Sequence, residues 1–422
     1  MEATRIRLAE GVHLTYLPAR KFKTSLLSAQ FVTPLRRETA GANALLAAVL
    51  RRGTVSCPDM GALSAKMDNL YDASIDYTVR KKGENQCVGF VASFIDDRYA
   101  PGGERLLEPA AALLGELICD PVTYHGRFVP EYFESEKTNL LEAIRSLIND
   151  KRDWADSRLL RALCDGEAYA VPRLGDEETV DKLQALKVYT QYRDLISTAP
   201  LEIIYSGSAD LERVKQALAA AFATLPREEV RVISTAAPHV CRESVQYVED
   251  VLDVTQGKLG MGFSCGSDDM PALLMGNTLF GGSSNSKLFL NVREKLSLCY
   301  YASSLYHRQK GLITVSSGIE FQNYQRAYDE IMAQLEAVQK GELEDWELEG
   351  ARSTLLNSYA TVGDSQGKLE NFYLGQAATG QHETPADLAR AIQDMTAERI
   401  CRAMSTVKLD TVYFLKGKEV EA

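Results

Sequence analysis

The sequence predicts an α+β protein in which helices pack on β-sheets and one architecture occurs twice. Three observations predict it. Short runs of alternating polarity, typical of strands, recur among longer stretches with helical periodicity. Two short patterns from the first half return in the same order in the second half. A polar segment bracketed by prolines, residues 225–239, separates the halves.

The elements follow from the hydrophobic pattern in chain order. Alternation of apolar and polar residues predicts strands at residues 12–17, 25–32, 86–93, 201–206, 258–263, 312–318 and 411–415. Apolar residues three and four positions apart, several followed by Gly or Pro, predict helices at residues 41–52, 106–119, 130–146, 211–224, 325–340 and 344–360. Helices that cover sheets in this mixture are typical of an α+β fold.

The repeated patterns define the predicted domains. Asn43-Ala-Leu-Leu is followed by Gly53-Thr54 at the distance that separates Pro271-Ala-Leu-Leu from Gly281-Gly282. Farther along, Lys137-Thr-Asn-Leu-Leu resembles Arg352-Ser-Thr-Leu-Leu. We therefore predict domains at residues 1–228 and 241–422, joined by a linker at 229–240.

Charge and hydropathy restrict the functional classes. The 422 residues contain 58 acidic and 47 basic side chains, a net charge of −11, and no long block of like charge. This balance disfavours nucleic acid as a partner. The N-terminal residues lack the pattern of a signal peptide, and no long apolar run spans a membrane. We expect a cytoplasmic protein without a membrane partner.

Cysteine and histidine spacing gives no metal motif. The eight cysteines and five histidines are dispersed, without a Cys-x-x-Cys pair or two histidines one helical turn apart. The cysteines are expected to be reduced and mostly buried.

Residues 280–300 carry a family resemblance. Phe280-Gly-Gly-Ser-Ser-Asn-Ser-Lys-Leu-Phe-Leu-Asn-Val-Arg293-Glu-Lys-Leu-Ser-Leu-Cys-Tyr300 places a glycine-rich turn before a helix, then an arginine and a tyrosine seven residues apart. This order resembles the signature of the insulinase-like M16 peptidases, and the resemblance covers nearly all of residues 8–418. It implies two homologous M16-type domains of the LuxS- and mitochondrial-processing-peptidase-like metallohydrolase fold, in which antiparallel sheets pack with helices.

The same resemblance locates a degenerate zinc site. The family motif Gly-x-x-His-x-x-Glu-His, followed by Gly-Thr, matches Gly41 through Thr54, so Ala44 and Ala48 stand at the ligand histidines and Ala47 at the catalytic glutamate. Positions i, i+3 and i+4 share one helical face. Alanine offers neither a metal ligand nor a base, and zinc-dependent hydrolysis needs both. We expect no cofactor and no catalysis by this chain alone.

One ligand-like residue remains. Phe133-Glu-Ser-Glu136-Lys matches the family segment that supplies the third zinc ligand, which places Glu136 at that position. A single carboxylate does not form a zinc site. The alternative is a solvated or salt-bridged helix glutamate.

Arg293 and Tyr300 keep both the residue type and the spacing of the family. The resemblance implies that they contact the carbonyl of a bound peptide, with Gly281 and Gly282 in the preceding turn also assigned to substrate binding. The structural alternative pairs Arg293 with Glu294 or another acid and makes Tyr300 a half-buried strand residue.

Two further motifs are set aside. Gly262-Phe-Ser264-Cys-Gly266 fits the nucleophile pattern of serine hydrolases, and Gly281 through Lys287 superficially resembles a phosphate-binding loop. The first lies in a strand that the family resemblance explains. The second lacks the Gly before Lys287 and the Ser or Thr after it.

The resemblance gives the functional expectation. It implies a non-catalytic subunit that pairs with a zinc-bearing M16 paralogue, or with a second copy of itself, and helps to enclose a peptide or protein substrate. A stand-alone scaffold or chaperone that binds extended polypeptide is the alternative, and an autonomous hydrolase is a remote one. A narrower resemblance is to the bacterial subgroup associated with the 5-aminopentanol modification of elongation factor P.

Overall fold

The computed structural model describes residues 3–233 and 238–418. Residues 234–237, inside the predicted linker 229–240, lie outside the described residues. Within the described ranges, no helix combines the length and the apolar character that a membrane span requires.

Thirteen strands and fourteen α-helices follow one another along the described chain. The strands are β1 Thr4–Ala9, β2 Val12–Pro18, β3 Thr24–Pro34, β4 Ser74–Lys82, β5 Asn85–Ile95, β6 Thr123–Tyr124, β7 Arg127–Phe128, β8 Leu201–Gly207, β9 Gln246–Leu252, β10 Gly257–Cys265, β11 Cys299–His307, β12 Leu312–Ile319 and β13 Val407–Gly417. The helices are α1 Arg37–Leu50, α2 Met60–Asp68, α3 Leu107–Cys119, α4 Pro130–Ser146, α5 Lys151–Leu163, α6 Glu177–Asp181, α7 Ala185–Thr198, α8 Leu211–Ala221, α9 Met270–Phe280, α10 Tyr324–Lys340, α11 Asp345–Ala360, α12 Gln366–Ala378, α13 Pro385–Gln393 and α14 Ala397–Met404. A π-helical segment, Leu288–Lys295, precedes β11.

Strand order confirms the predicted α+β fold with a repeated architecture. The first large sheet has the order β4-β5-β3-β8-β2-β1, the second has the order β11-β12-β10-β13-β9, and β6 and β7 form a separate two-stranded sheet. Each of the two large sheets contains one parallel strand pair, β2 with β8 in the first and β9 with β13 in the second. All other neighbouring strands in these sheets are antiparallel. The five shared positions therefore match in order and direction, and β1 is the additional strand of the first sheet.

The chain forms two compact units, and both are discontinuous in sequence. Unit 1 comprises Met1–Arg145, Val171–Thr235 and Gly363–His382, and unit 2 comprises Ser146–Ala170, Ala236–Val362 and Glu383–Ala422. The predicted domains 1–228 and 241–422 are contiguous, so they miss this division. Helix α5 belongs to unit 2, although it follows α4 of unit 1, and α12 belongs to unit 1, although it follows α11 of unit 2.

Glycines explain how α5 packs on the second sheet. A Cβ atom on Gly262 of β10 would lie 2.7 Å from the Leu163 side chain, and one on Gly260 would lie 3.2 Å from Leu159. Leu159 and Leu163 are 1% and 0% exposed. The absence of side chains at two positions of one strand thus lets the apolar face of α5 lie directly on the sheet.

Helix α12 covers a polar face of the first sheet. Ser28 and Gln30 on β3 are both 0% exposed. The Ser28 hydroxyl donates to Glu370 Oε1 over 2.7 Å. Both terminal nitrogens of Arg80 donate to the Glu370 carboxylate at 2.6 Å. The carboxylate, whose side chain is 4% exposed, therefore joins α12 to β3 and β4.

Replacement of the Glu370 charge should destabilise unit 1. We expect Glu370→Gln to lower the free energy of unfolding by about 2–3 kcal/mol, because it leaves the Arg80 guanidinium, 22% exposed, without its counter-ion. Urea denaturation followed by circular dichroism measures the change.

Asp364→Asn is the matched control, since Asp364 belongs to the same segment but forms an exposed ion pair with Lys21. It should leave the unfolding midpoint unchanged. A Glu370→Gln variant as stable as the wild type would contradict the role assigned to this carboxylate.

Candidate functional site

The three alanines of the predicted zinc motif lie in a buried part of α1. Ala44, Ala47 and Ala48 are 2%, 0% and 5% exposed. Ala44 and Ala48 line a cavity of about 760 Å³, whereas Ala47 packs in the hydrophobic core. The three positions share one face of α1, as predicted, and only the two ligand positions reach the cavity wall.

Glu136 is salt-bridged. It lies on α4 and is 9% exposed. Arg52, four residues after Ala48, donates to Glu136 Oε1 over 2.9 Å, and Asn139 donates to Oε2 over 3.1 Å. The Arg52 guanidinium also lies 5.0 Å from the centre of the Tyr132 ring. Both carboxylate oxygens thus have donors, and a fixed cation replaces the charge that a metal ion would supply.

The edge strand β4 forms another wall of this cavity, with residues Tyr77 through Lys82. Arginine side chains contact two of its carbonyl groups. Arg51 Nε donates to Ile75 O, and an Arg173 terminal nitrogen donates to Val79 O over 3.2 Å. Such contacts satisfy acceptors that an edge strand would otherwise offer to another chain. Burial, and next the Glu136 carboxylate, raise the pKa of Tyr77 on the same strand.

Arg293 and Tyr300 lie near the same cavity in unit 2. Both line a cavity of about 430 Å³. The Arg293 side chain is 40% exposed, and Tyr300 is 61% exposed. The Arg293 guanidinium lies 4.7 Å from the Phe289 ring centre, while its Nε is 3.6 Å from Glu294. The structural alternative is therefore confirmed in its pairing of Arg293 with Glu294 and wrong in its half-buried Tyr300.

Local backbone geometry explains why residues seven positions apart meet. Arg293 belongs to the π-helical segment, a form of helix often found at functional sites. After it the chain turns sharply: the Leu298 amide donates to Val292 O over 3.0 Å, and Ser297 has a φ of 49°. Positive φ is uncommon for a residue other than glycine. The turn leads directly into β11, which begins beside Tyr300.

The Tyr300 hydroxyl has an acidic partner. It donates to Glu320 Oε1 at 2.5 Å. This hydrogen bond raises the pKa of Tyr300. The hydroxyl therefore remains protonated at neutral pH, and its single proton is donated to Glu320, so it can donate to another acceptor only in exchange for that bond, while Arg293 offers a permanent positive charge.

Gly281 and Gly282 have a packing function in the turn after α9. A Cβ atom on Gly281 would lie 2.7 Å from both Leu288 Cδ1 and Ser304 Oγ, and one on Gly282 would lie 2.9 Å from Asn277 Nδ2. Neither glycine lines the cavity that contains Arg293 and Tyr300. Their assignment to substrate binding stays a prediction, and close packing explains the residue type.

The two motifs set aside have structural explanations. Ser264 is 5% exposed and lies within the β10 ladder, where it pairs with Leu312 and Lys408. It therefore does not have the exposed turn position of a hydrolase nucleophile. The Lys287 ammonium donates to both oxygens of buried Glu347 at 3.0 Å, so it is already neutralised.

Sequence spacing missed a polar cluster in unit 2. Ligand atoms of Cys164, Glu167 and His239 lie within 4.8 Å of one another. His239 Nδ1 is 2.5 Å from Glu167, His239 Nε2 is 3.2 Å from Asp410, and Lys310 forms an ion pair with Glu167. The Lys310 cation already compensates the Glu167 carboxylate, which disfavours a metal ion there. The sequence gives no signal for this cluster, because Glu167 and His239 are 72 residues apart.

The chain resembles known proteins over its full length. It is 34% identical over 416 residues, 97% of this chain and 96% of the other, to a probable inactive metalloprotease, YmfF, of Bacillus subtilis strain 168. Residues 182–355 match the family model described as Peptidase M16 inactive domain. The chain belongs to the M16 peptidase family.

Solved structures share the fold. A conserved protein from Enterococcus faecalis V583 matches with a TM-score of 0.91 and 27% identity over 100% of both chains. A peptidase M16 inactive domain from Pseudomonas fluorescens matches with a TM-score of 0.81 and 17% identity, over 100% of this chain and 99% of that one. These matches confirm the predicted fold class, and the chain is an inactive M16 peptidase-like protein.

The zinc position of this M16 chain can be tested by restoring ligands. We expect the wild type to bind no stoichiometric zinc. Ala44→His/Ala48→His should bind zinc weakly, because Arg52 holds Glu136. Addition of Arg52→Gln should release this carboxylate as a third ligand and raise zinc affinity by at least about tenfold. Competition with a chromophoric chelator measures it.

Ala47 is left unchanged in these variants because a glutamate there would be placed in the apolar core. The control adds Glu136→Gln to the three substitutions and should abolish the gain. Equal zinc affinity with and without Glu136 would show that this residue is not the third ligand.

Proposed function

We propose that this chain is a non-catalytic M16 subunit that pairs with a zinc-bearing M16 paralogue and helps to bind and enclose a peptide or protein substrate. The observation that carries the proposal is a contrast within one chain. The zinc position has become an alanine-lined cavity with a neutralised glutamate, yet Arg293 and Tyr300 lie exposed beside one another. Two such donors suit a peptide carbonyl.

The chemistry supports a partner chain. Donors of this kind stabilise the oxyanion that forms when a nucleophile attacks a carbonyl. Zinc-bound water is that nucleophile in a metallopeptidase, and the residues of this chain's motif do not generate it. The Arg293 and Tyr300 pair therefore gains a catalytic use when a second M16 chain supplies the metal.

A second candidate is a stand-alone scaffold or chaperone that binds extended polypeptide. The edge strand β4 beside the 760 Å³ cavity favours it, because edge strands bind extended peptides through main-chain hydrogen bonds. The same feature would serve substrate binding in a heterodimer. A homodimer of this chain is the alternative to the heterodimer with a zinc-bearing paralogue.

Complex formation separates these candidates. We expect the untagged chain to co-purify with a tagged M16 chain from the same genome that retains His-x-x-Glu-His, and the mixture to sediment as a one-to-one complex. Sedimentation velocity of each chain alone is the control. Self-association of this chain, with no mixed species, would support the homodimer and contradict the heterodimer.

The Arg293 and Tyr300 pair is tested in that complex. We expect Arg293→Ala and Tyr300→Phe each to lower peptide turnover by about 10² to 10³. Melting temperatures should change little, because both side chains are exposed. Turnover of a quenched fluorescent peptide and thermal melts give the two readouts.

Matched controls lie elsewhere in unit 2. Tyr247 on the edge strand β9 is 61% exposed, like Tyr300, and Arg326 on α10 is exposed. Tyr247→Phe and Arg326→Ala should leave turnover unchanged. Equal turnover in all four variants would reject the role in substrate contact, and a large fall in melting temperature would make the pair structural.

A further inference from the structure

The cavity beside α1 in unit 1 contains more positive than negative charge. Arg80, Lys81, Lys82 and Arg173 line it, and Glu136 is its acidic side chain. Two of these charges are compensated, because Arg52 neutralises Glu136 and Glu370 neutralises Arg80.

Lys82 and Arg173 bond to uncharged oxygens. Lys82 Nζ donates to Asn371 Oδ1 over 2.6 Å and to the Asn371 carbonyl over 3.3 Å. Arg173 donates to the Val79 carbonyl over 3.2 Å. In the described part of the chain, neither cation has a carboxylate as hydrogen-bond partner. Their donors exceed these bonds, since an ammonium has three and a guanidinium five.

Lys82 is half-buried and Arg173 is exposed at the mouth of the cavity, so only Lys82 is partly withdrawn from water. Removal of Lys82 from water lowers its pKa. Arg80 contributes a buried Nε that has no acceptor among the described residues. Cations in a concave site attract anions more strongly than cations on an open surface do, because the low-dielectric walls concentrate their field. The chain has 58 acidic residues, yet none forms an ion pair with Lys82 or Arg173 in the described ranges.

We propose that this cavity binds the carboxylate side chains of an extended acidic polypeptide segment, with Lys82 and Arg173 as the donors. The site that holds a metal cation in zinc-bearing relatives has thus become an anion site. This inference deepens the proposed function, on which it rests for the polypeptide nature of the ligand, and it names the substrate class.

The position of Arg173 favours a polypeptide over a small free anion. Arg173 bonds to a carbonyl of the edge strand β4, and the same strand lines the cavity. A carboxylate that binds the remaining donors of the Arg173 guanidinium lies next to the β4 backbone, and a shift of Arg173 toward it frees Val79 O. The released carbonyl then accepts a backbone N–H of the same segment, as in strand addition. One ligand with both a carboxylate and a peptide backbone satisfies both groups.

Binding to the isolated full-length chain tests the inference independently of any partner. The probes are fluorescein-labelled short peptides of identical length that differ at two central residues, Glu-Glu, Gln-Gln or Lys-Lys, in a Gly, Ser, Thr and Val background. We expect the Glu peptide to bind about tenfold more tightly than the Gln peptide by fluorescence anisotropy. The Lys peptide should bind most weakly, and added salt should reduce the difference.

Variants assign the preference to the two cations. Lys82→Met and Arg173→Met should each remove most of the preference for Glu over Gln, while Arg173→Lys, which keeps the charge, should retain part of it. Lys187→Met, at an exposed position on α7, is the control and should change nothing. Thermal melts check that each variant is folded.

Three results would overturn the inference. The first is equal affinity for the Glu and Gln peptides in the wild type. The second is an unchanged preference in folded Lys82→Met and Arg173→Met variants. The third is binding of inorganic phosphate or acetate at the cavity as tight as that of the Glu peptide, which would assign the site to small anions. Failure to form a complex with a zinc-bearing chain would contradict the proposed function and leave these binding results intact.

Discussion

The Glu370 carboxylate is the constraint on which the organisation of unit 1 depends. It receives hydrogen bonds from Ser28 on β3 and from Arg80 on β4, so it fixes α12 against the polar face of the first sheet. This helix buries Ser28 and Gln30, polar residues of β3 that would otherwise face solvent. It also carries Asn371 to Lys82, which closes one side of the cavity. The structural core and the candidate site therefore share one buried ion pair.

The charges around Glu136 explain why the position aligned with the family's zinc site lacks the properties of a metal site. A metal centre needs ligands that converge on an unoccupied point, whereas Arg52 already satisfies Glu136 and alanine fills both histidine positions. A fixed guanidinium cannot polarise a water molecule as a Lewis acid does. The surface that we propose for polypeptide binding consists of cations and an edge strand in unit 1, and of Arg293 and Tyr300 in unit 2.

The sequence predicted the elements that have strong periodicity and missed those that lack it. Helix α4 begins and ends at the predicted residues, and every predicted strand lies within an observed one. The four edge strands of the two large sheets, β1, β4, β9 and β11, were missed, because many of their residues are exposed and few are apolar and buried. The placement of Arg293 and Tyr300 at one cavity could be predicted, since one local turn connects them. The Arg52 and Glu136 pair could not, because its residues are 84 positions apart. The assignment of α5 to unit 2 and of α12 to unit 1 could not be predicted either, since the buried face of a helix does not specify which sheet it covers.

The exchanged helices impose an order on biosynthesis. Arg80 leaves the ribosome 290 residues before Glu370, so the first sheet cannot acquire its covering helix until almost the whole chain has been made. At roughly 5–20 residues per second, this delay is on the order of tens of seconds. During that interval the nascent sheet exposes Ser28, Gln30 and an uncompensated arginine instead of an apolar surface. An exposed polar face is less prone to aggregate than an exposed apolar one. The first sheet can therefore remain uncovered until α12 has been synthesised.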